Sequence, residues 1–134
     1  MKATGLLHPE LSAIVAGLGH GDLLGVADAG LPISPATLRV DLAFAPGKPA
    51  VQDVLDALLA ELTVEAYVLA EESKAHAGWL VDFLAGRLPG AAVVWVDHET
   101  LKARCATARA VVRTGEFRPY GNVLLASGVP FAPG

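Results

Sequence analysis

The chain has 134 residues, of which 53% are hydrophobic and 18% charged, with a mean hydropathy of +0.47. That balance excludes a disordered tail and predicts one folded domain over residues 1–134, with more apolar surface than a lone domain of this size needs. The net charge of −4, with no long Lys/Arg cluster, speaks against nucleic acid. No apolar run approaches the roughly 20 residues of a bilayer span, and Met1–Pro9 lacks a secretory core, so a cytoplasmic protein with no membrane partner is expected.

Leu11, Ile14, Val15 and Leu18 recur at helical spacing, with Pro9 suited to the first turn and Gly19 to the stop. Leu23 to Asp28 reads as a short buried strand running into the turn-rich stretch Asp28–Pro35. Leu38, Val40, Leu42 and Phe44 alternate with Arg39, Asp41 and Ala43, which predicts a strand over 38–44. After a Pro/Gly-rich turn, Val51, Val54, Leu55, Leu58, Leu59 and Leu62 form one face of a helix, and Val64 to Ala70 a strand. Trp79, Leu80, Phe83 and Leu84 give a shorter helix. Ala91 to Val96 is a continuous apolar run, expected to be a strand buried on both faces. Asp97 can cap a helix from about His98 to Ala108, and Val111–Arg113 and Val123–Ala126 are the last strands. Strands alternating with helices predict an α/β domain, a three-layer α/β/α arrangement around a largely parallel sheet. In such sheets sites lie on loops at the carboxyl ends of strands, which singles out the segments after Asp28 and after Val96.

Chemistry-bearing residues are few. Gly17-Leu18-Gly19-His20-Gly21-Asp22 lacks the third glycine of a dinucleotide loop and stands between a helix and a strand, the reverse of that motif's setting. Its glycines bring His20 to an exposed turn instead. Asp28 closes an apolar strand, where an Asx-turn would use it equally well, and His98 could simply start a helix. His8, His20, Asp22, Asp28 and His98 have no metal-binding spacing, and no metal or cofactor is expected. His76, in the polar stretch Glu71–His76, reads as solvated. The single cysteine, Cys105, reads as a buried, inert thiol. Near the end, Tyr120 offers a flat face and a hydroxyl, and Asn122 a donor and an acceptor, groups suited to a polyol or to a plain turn. Two histidines, a carboxylate, a tyrosine and an asparagine on loops make an acid–base set for a small polar molecule.

The sequence resembles the family of sugar mutarotases whose two branches are the D-ribose pyranases and the L-fucose mutarotases. The likeness runs through Leu18-Gly19-His20-Gly21-Asp22, Asp28-Ala29-Gly30-Leu31-Pro32-Ile33, Arg39-Val40-Asp41, Ala70-Glu71-Glu72, His98-Glu99 with Lys102, Arg113-Thr114-Gly115-Glu116 and Pro119-Tyr120-Gly121-Asn122. The Asp28–Ile33 stretch favours the ribose branch. The resemblance implies that His20 is the proton donor, and that Asp28, His98, Tyr120, Gly121 and Asn122 bind the monosaccharide, D-ribose. It also implies a homo-oligomeric ring, a pentamer or decamer, with sites shared across subunit boundaries. On this reading Tyr120 and Asn122 come to His20, Asp28 and His98 from a neighbouring subunit. Two departures stand out: Gly121 replaces the alanine usual between the tyrosine and the asparagine, and the Ala85–Val93 segment is shorter than in many relatives. The alternatives are the same chemistry on a sugar such as L-fucose, or a non-catalytic, ring-forming sugar-binding protein.

Overall fold

The structure, a computed structural model, describes residues 1–132. Helix α1 (Pro9–Gly17) has proline in its first turn, and the His8 ring Nδ1 accepts from the Leu11 N–H at 3.1 Å, capping the helix. Strand β1 (Leu23–Ala27) follows, then a long turn, β2 (Arg39–Asp41), and α2 (Val51–Leu59), whose buried Val51, Val54, Leu55 and Leu58 form its inner stripe. Strand β3 (Val64–Ala70) leads to the short α3 (Ser73–His76), which the polar sequence there did not predict, and to α4 (Gly78–Arg87). Strand β4 (Ala92–Val96), α5 (His98–Cys105), β5 (Ala110–Arg113) and β6 (Val123–Ser127) complete the order.

The six strands form one sheet in the order β2-β5-β1-β6-β3-β4. The pairs β1–β5, β2–β5 and β3–β4 are parallel, while β6 runs antiparallel between β1 and β3. Helices α1, α2 and α4 cover one face, packing Leu11, Leu55, Leu58, Leu80 and Leu84 against Leu24, Val26, Tyr67, Leu69 and Leu125. Each such fully buried leucine contributes about 1.5–3 kcal/mol of transfer free energy. Helix α5 alone covers the other face, with Leu101 and Cys105 on Ala27, Val68, Ala70, Val111 and Leu124. The three expected layers are present, and the second helical layer is thin.

Two expectations fail, one at each edge of the sheet. Of the strand expected over 38–44 only Arg39–Asp41 pairs, and only Val40 is buried; Leu38 and Phe44 are 51% and 84% exposed. The cause is local: β2 has β5 as its single neighbour, and Asp41 Oδ1 accepts from the Ala43 N–H at 3.0 Å, turning the chain out of the sheet. Strand β4, expected to be buried on both faces, is the opposite edge, with Ala92, Val93 and Val94 exposed. Helix α5 lies over β3 rather than over β4 and leaves that run uncovered. Helices α2 and α5 also stop about three residues before their predicted ends.

Candidate functional site

The carboxyl ends of β1, β4 and β5 open on one side of the sheet, and the loops leaving them enclose a cleft of about 620 Å³. Asp28, Leu31, His98, Arg113, Phe117 and Tyr120 line it. Gly121 and Asn122 stand directly behind that lining, at the start of β6.

Asp28 leaves β1 and is held on three sides. Its N–H donates to Asn122 Oδ1 at 2.8 Å, the Asn122 amide donates back to Asp28 Oδ2 at 3.2 Å, and the Gly30 N–H donates to Asp28 Oδ1 at 3.0 Å. The last bond is an Asx-turn, so the turn and the site use the same carboxylate. Asn122 is buried, and both of its polar atoms are spent on Asp28. The donor and the acceptor that the sequence offered at Asn122 thus both meet Asp28 in this structure.

His98 begins α5. Asp97 caps that helix, and its bonds from Thr100 hold its carboxyl below the usual range. The Glu72 carboxylate accepts the His98 N–H at 3.1 and 3.2 Å. The His98 ring meets Tyr120 edge-on, with centroids 5.0 Å apart, and its Nδ1 is buried with no hydrogen-bond partner. Tyr120 has a left-handed backbone, φ 59°, and its carbonyl accepts from the buried Ser73 hydroxyl at 3.0 Å. His76, expected to be only solvated, stacks on the Tyr120 ring at 5.2 Å.

The loop between β5 and β6 is tied down by its own polar residues. Arg113 donates to the Ala29 carbonyl at 3.0 Å and to the Asp41 carboxylate at 3.1 and 3.2 Å. Thr114 donates to the Ala27 carbonyl at 2.8 Å. The buried Glu116 carboxylate accepts from the Arg118 guanidinium at 2.9 and 3.0 Å, from the Arg118 N–H at 3.2 Å and from the Val51 N–H at 3.3 Å. The guanidinium bonds, ahead of the two amides and against the opposing effect of burial, keep the Glu116 carboxyl below its ordinary value. From the sequence, Ser73 and Arg118 were given no role, Glu72 entered only within Ala70-Glu71-Glu72, and His76 only as a solvated residue. Nothing in a polar helical turn marks which of its residues face a loop almost fifty positions away. Cys105 is a core thiol, as expected, and burial pushes its pKa up to about 11.

His20 lies elsewhere. It sits in the α1–β1 turn, anchored where the Gly21 N–H donates to the Ser127 carbonyl at 2.7 Å. The five residues of β1 separate that turn from Asp28, about 16 Å at the usual rise per residue. The His20 Nε2 is 2.7 Å from Glu65 Oε2, and both side chains are exposed. One chain thus brings together Asp28, His98, Tyr120, Gly121 and Asn122, and keeps His20 at the far end of the sheet. The expected division is corrected: Tyr120 and Asn122 join Asp28 and His98 within the same chain, and His20 is the residue that stands apart. Among the described residues no three His, Cys, Asp or Glu side chains converge as a metal site, and no helix is long and apolar enough to cross a membrane.

Residues 1–130 match the model of a family described as the RbsD / FucU transport protein family. The chain is 52% identical over 131 residues to the D-ribose pyranase of Paracidovorax citrulli, covering 98% of this chain and 100% of that one. It is 50% identical over 131 residues to the D-ribose pyranase of Symbiobacterium thermophilum, with the same coverage. Among solved structures, that of Bacillus subtilis RbsD complexed with D-ribose superposes with a TM-score of 0.93 at 41% identity, covering 98% of this chain and 100% of that one.

Proposed function

Because this chain belongs to the RbsD / FucU transport protein family, we propose that it is a D-ribose pyranase, an isomerase that interconverts the pyranose and furanose forms of D-ribose. The observation that carries this reading is identity of about half of all residues, end to end, with proteins of that activity. The loop cleft supports it, since it offers a carboxylate, an imidazole and an aromatic face to a small polyol.

The reaction opens the pyranose by moving two protons. The anomeric hydroxyl gives up its proton, the bond from the anomeric carbon to the ring oxygen breaks, and that oxygen takes a proton, leaving an open-chain aldehyde. Attack by a different hydroxyl on the aldehyde carbon recloses the ring, and the protons return. General acid–base assistance of this kind is typically worth about 10²–10⁴-fold. Imidazole ordinarily titrates near about 6.5, which lets a histidine serve in both directions. His20 is the proton-transferring residue in this reading, while Asp28 and His98 hold sugar hydroxyls and Tyr120 gives the ring a face. Gly121 and Asn122 shape the wall behind them.

His20 and the cleft lie at opposite ends of one sheet, so a complete site takes His20 from a second copy. Subunits in a ring would provide that meeting at every boundary. Saturation-transfer NMR on D-ribose, with L-fucose as comparison, tests the activity. The protein should speed ribose exchange more than fucose exchange, and unchanged ribose exchange would sink the reading. A His20→Ala variant with undiminished exchange would remove His20 from its role.

A further inference from the structure

The segment Glu72–Trp79 carries no residue that lines the cleft, yet it touches two of the three loops that do. Glu72 accepts the His98 N–H, Ser73 donates to the Tyr120 carbonyl, and His76 stacks on the Tyr120 ring. The fourth contact is that of Trp79 with Gly121. A Cβ placed on Gly121 would stand 3.1 Å from Cζ2 and 3.2 Å from Cη2 of the Trp79 ring, and 3.3 Å from Glu116 Cγ. Those separations are below ordinary carbon–carbon contact, so a side chain at 121 would require the indole to yield.

The indole has little freedom to yield. The Arg118 guanidinium lies 3.5 Å from the centre of the Trp79 ring, and Arg118 is itself held by the buried Glu116 carboxylate at 2.9 and 3.0 Å. Stacking of a cation on an aromatic face adds to that restraint. We propose that Trp79 and Gly121 are a matched pair, and that Trp79 is a positioning residue for Tyr120. The glycine lets the indole lie against the backbone, and the indole fixes the path of Tyr120–Asn122. Through that path it sets both the aromatic wall of the cleft and the hold of Asn122 on Asp28. The proposal rests on the D-ribose pyranase reading only where catalysis is the readout.

Four proteins test it: the wild type, Gly121→Ala, Trp79→Phe and the double variant. Phenylalanine is shorter than the indole and withdraws the outer ring atoms that crowd residue 121. Gly121→Ala should raise the KM for ribose exchange about tenfold with kcat little changed, because the displaced groups hold the sugar. The double variant should return to the modestly raised KM of Trp79→Phe alone. Unfolding midpoints, which need no substrate, should follow the same pattern, lowered by Gly121→Ala and recovered in the double variant. A Gly121→Ala protein with wild-type KM and midpoint overturns the pairing. So does a double variant whose losses simply add, or one no better folded than Gly121→Ala. Wild-type protein that does not accelerate ribose exchange counts instead against the functional reading, and the midpoints then judge the pair alone.

Discussion

At Gly115 the backbone of the β5–β6 loop passes so close to its neighbour that no side chain fits. A Cβ there would lie 2.3 Å from the Lys48 carbonyl oxygen and 2.7 Å from that of Ala45, both backbone atoms that cannot rotate away. Gly115→Ala should therefore cost at least about 2 kcal/mol of stability in a urea titration. Gly30→Ala is the control: its Cβ would meet only Asp28 Oδ1, at 3.8 Å, and the change should stay within about 0.5 kcal/mol. Asn122→Ala removes both bonds to Asp28 and leaves the part-buried Asp28 N–H unpaired, so it should lose about 1–3 kcal/mol and raise the KM for ribose. Wild-type stability and KM in that variant would show that Asn122 does not organise the cleft. The candidate residues were legible where local chemistry marks them. Asp28 ends an apolar strand, and His98 follows a helix cap. The pairing of Asn122 with Asp28 was not legible, because the two are 94 positions apart and only the sheet brings them together.

Among elements, period-2 alternation and apolar runs located the strands but could not say which stand at the edges. Leu38–Phe44 read as an alternating strand and Ala91–Val96 as one buried on both faces, yet strand order makes β2 and β4 the two edges. The pattern records apolar surface, not what covers it. The loop that joins β5 to β6 is tied to α2 by Glu116, whose carboxylate accepts the Val51 N–H at the start of that helix. This link is titratable. The Glu116 carboxyl is held below its ordinary value of 4.5, chiefly by the Arg118 guanidinium. A depressed folded-state pKa contributes stability that is present above the unfolded value and lost as pH falls through the folded one. The stability advantage of the wild type over Glu116→Gln should be full near neutral pH and shrink progressively below about pH 4.5. Thermal melts of both proteins across that range would measure it. An advantage independent of pH would mean that the charge of Glu116 contributes nothing to holding the loop.

For the whole molecule, the apolar excess read from composition has a location. Leu38, Phe44, Val93, Val94 and Phe117 are all exposed large hydrophobic side chains, with Phe117 on the rim of the cleft. Under the shared-site proposal, a second copy of the chain would cover such surface at the sheet edges and bring His20 to the cleft. Mixing inactive variants tests that explanation directly. His20→Ala subunits keep an intact cleft, and Asp28→Asn subunits keep an intact His20. Each protein alone should exchange ribose poorly, since every site it can build lacks one half. If sites form between copies, unfolding the two together and refolding them should restore up to about a quarter of wild-type activity, the share of boundaries that pair two intact halves at random. A shared site also requires that dilution to dissociated subunits abolish exchange along with assembly. If the refolded mixture is no more active than its parts, or if monomers retain full activity, His20 must reach the sugar within its own chain. The five-residue length of β1 argues against that route, because crossing it would mean dismantling the strand that carries Asp28.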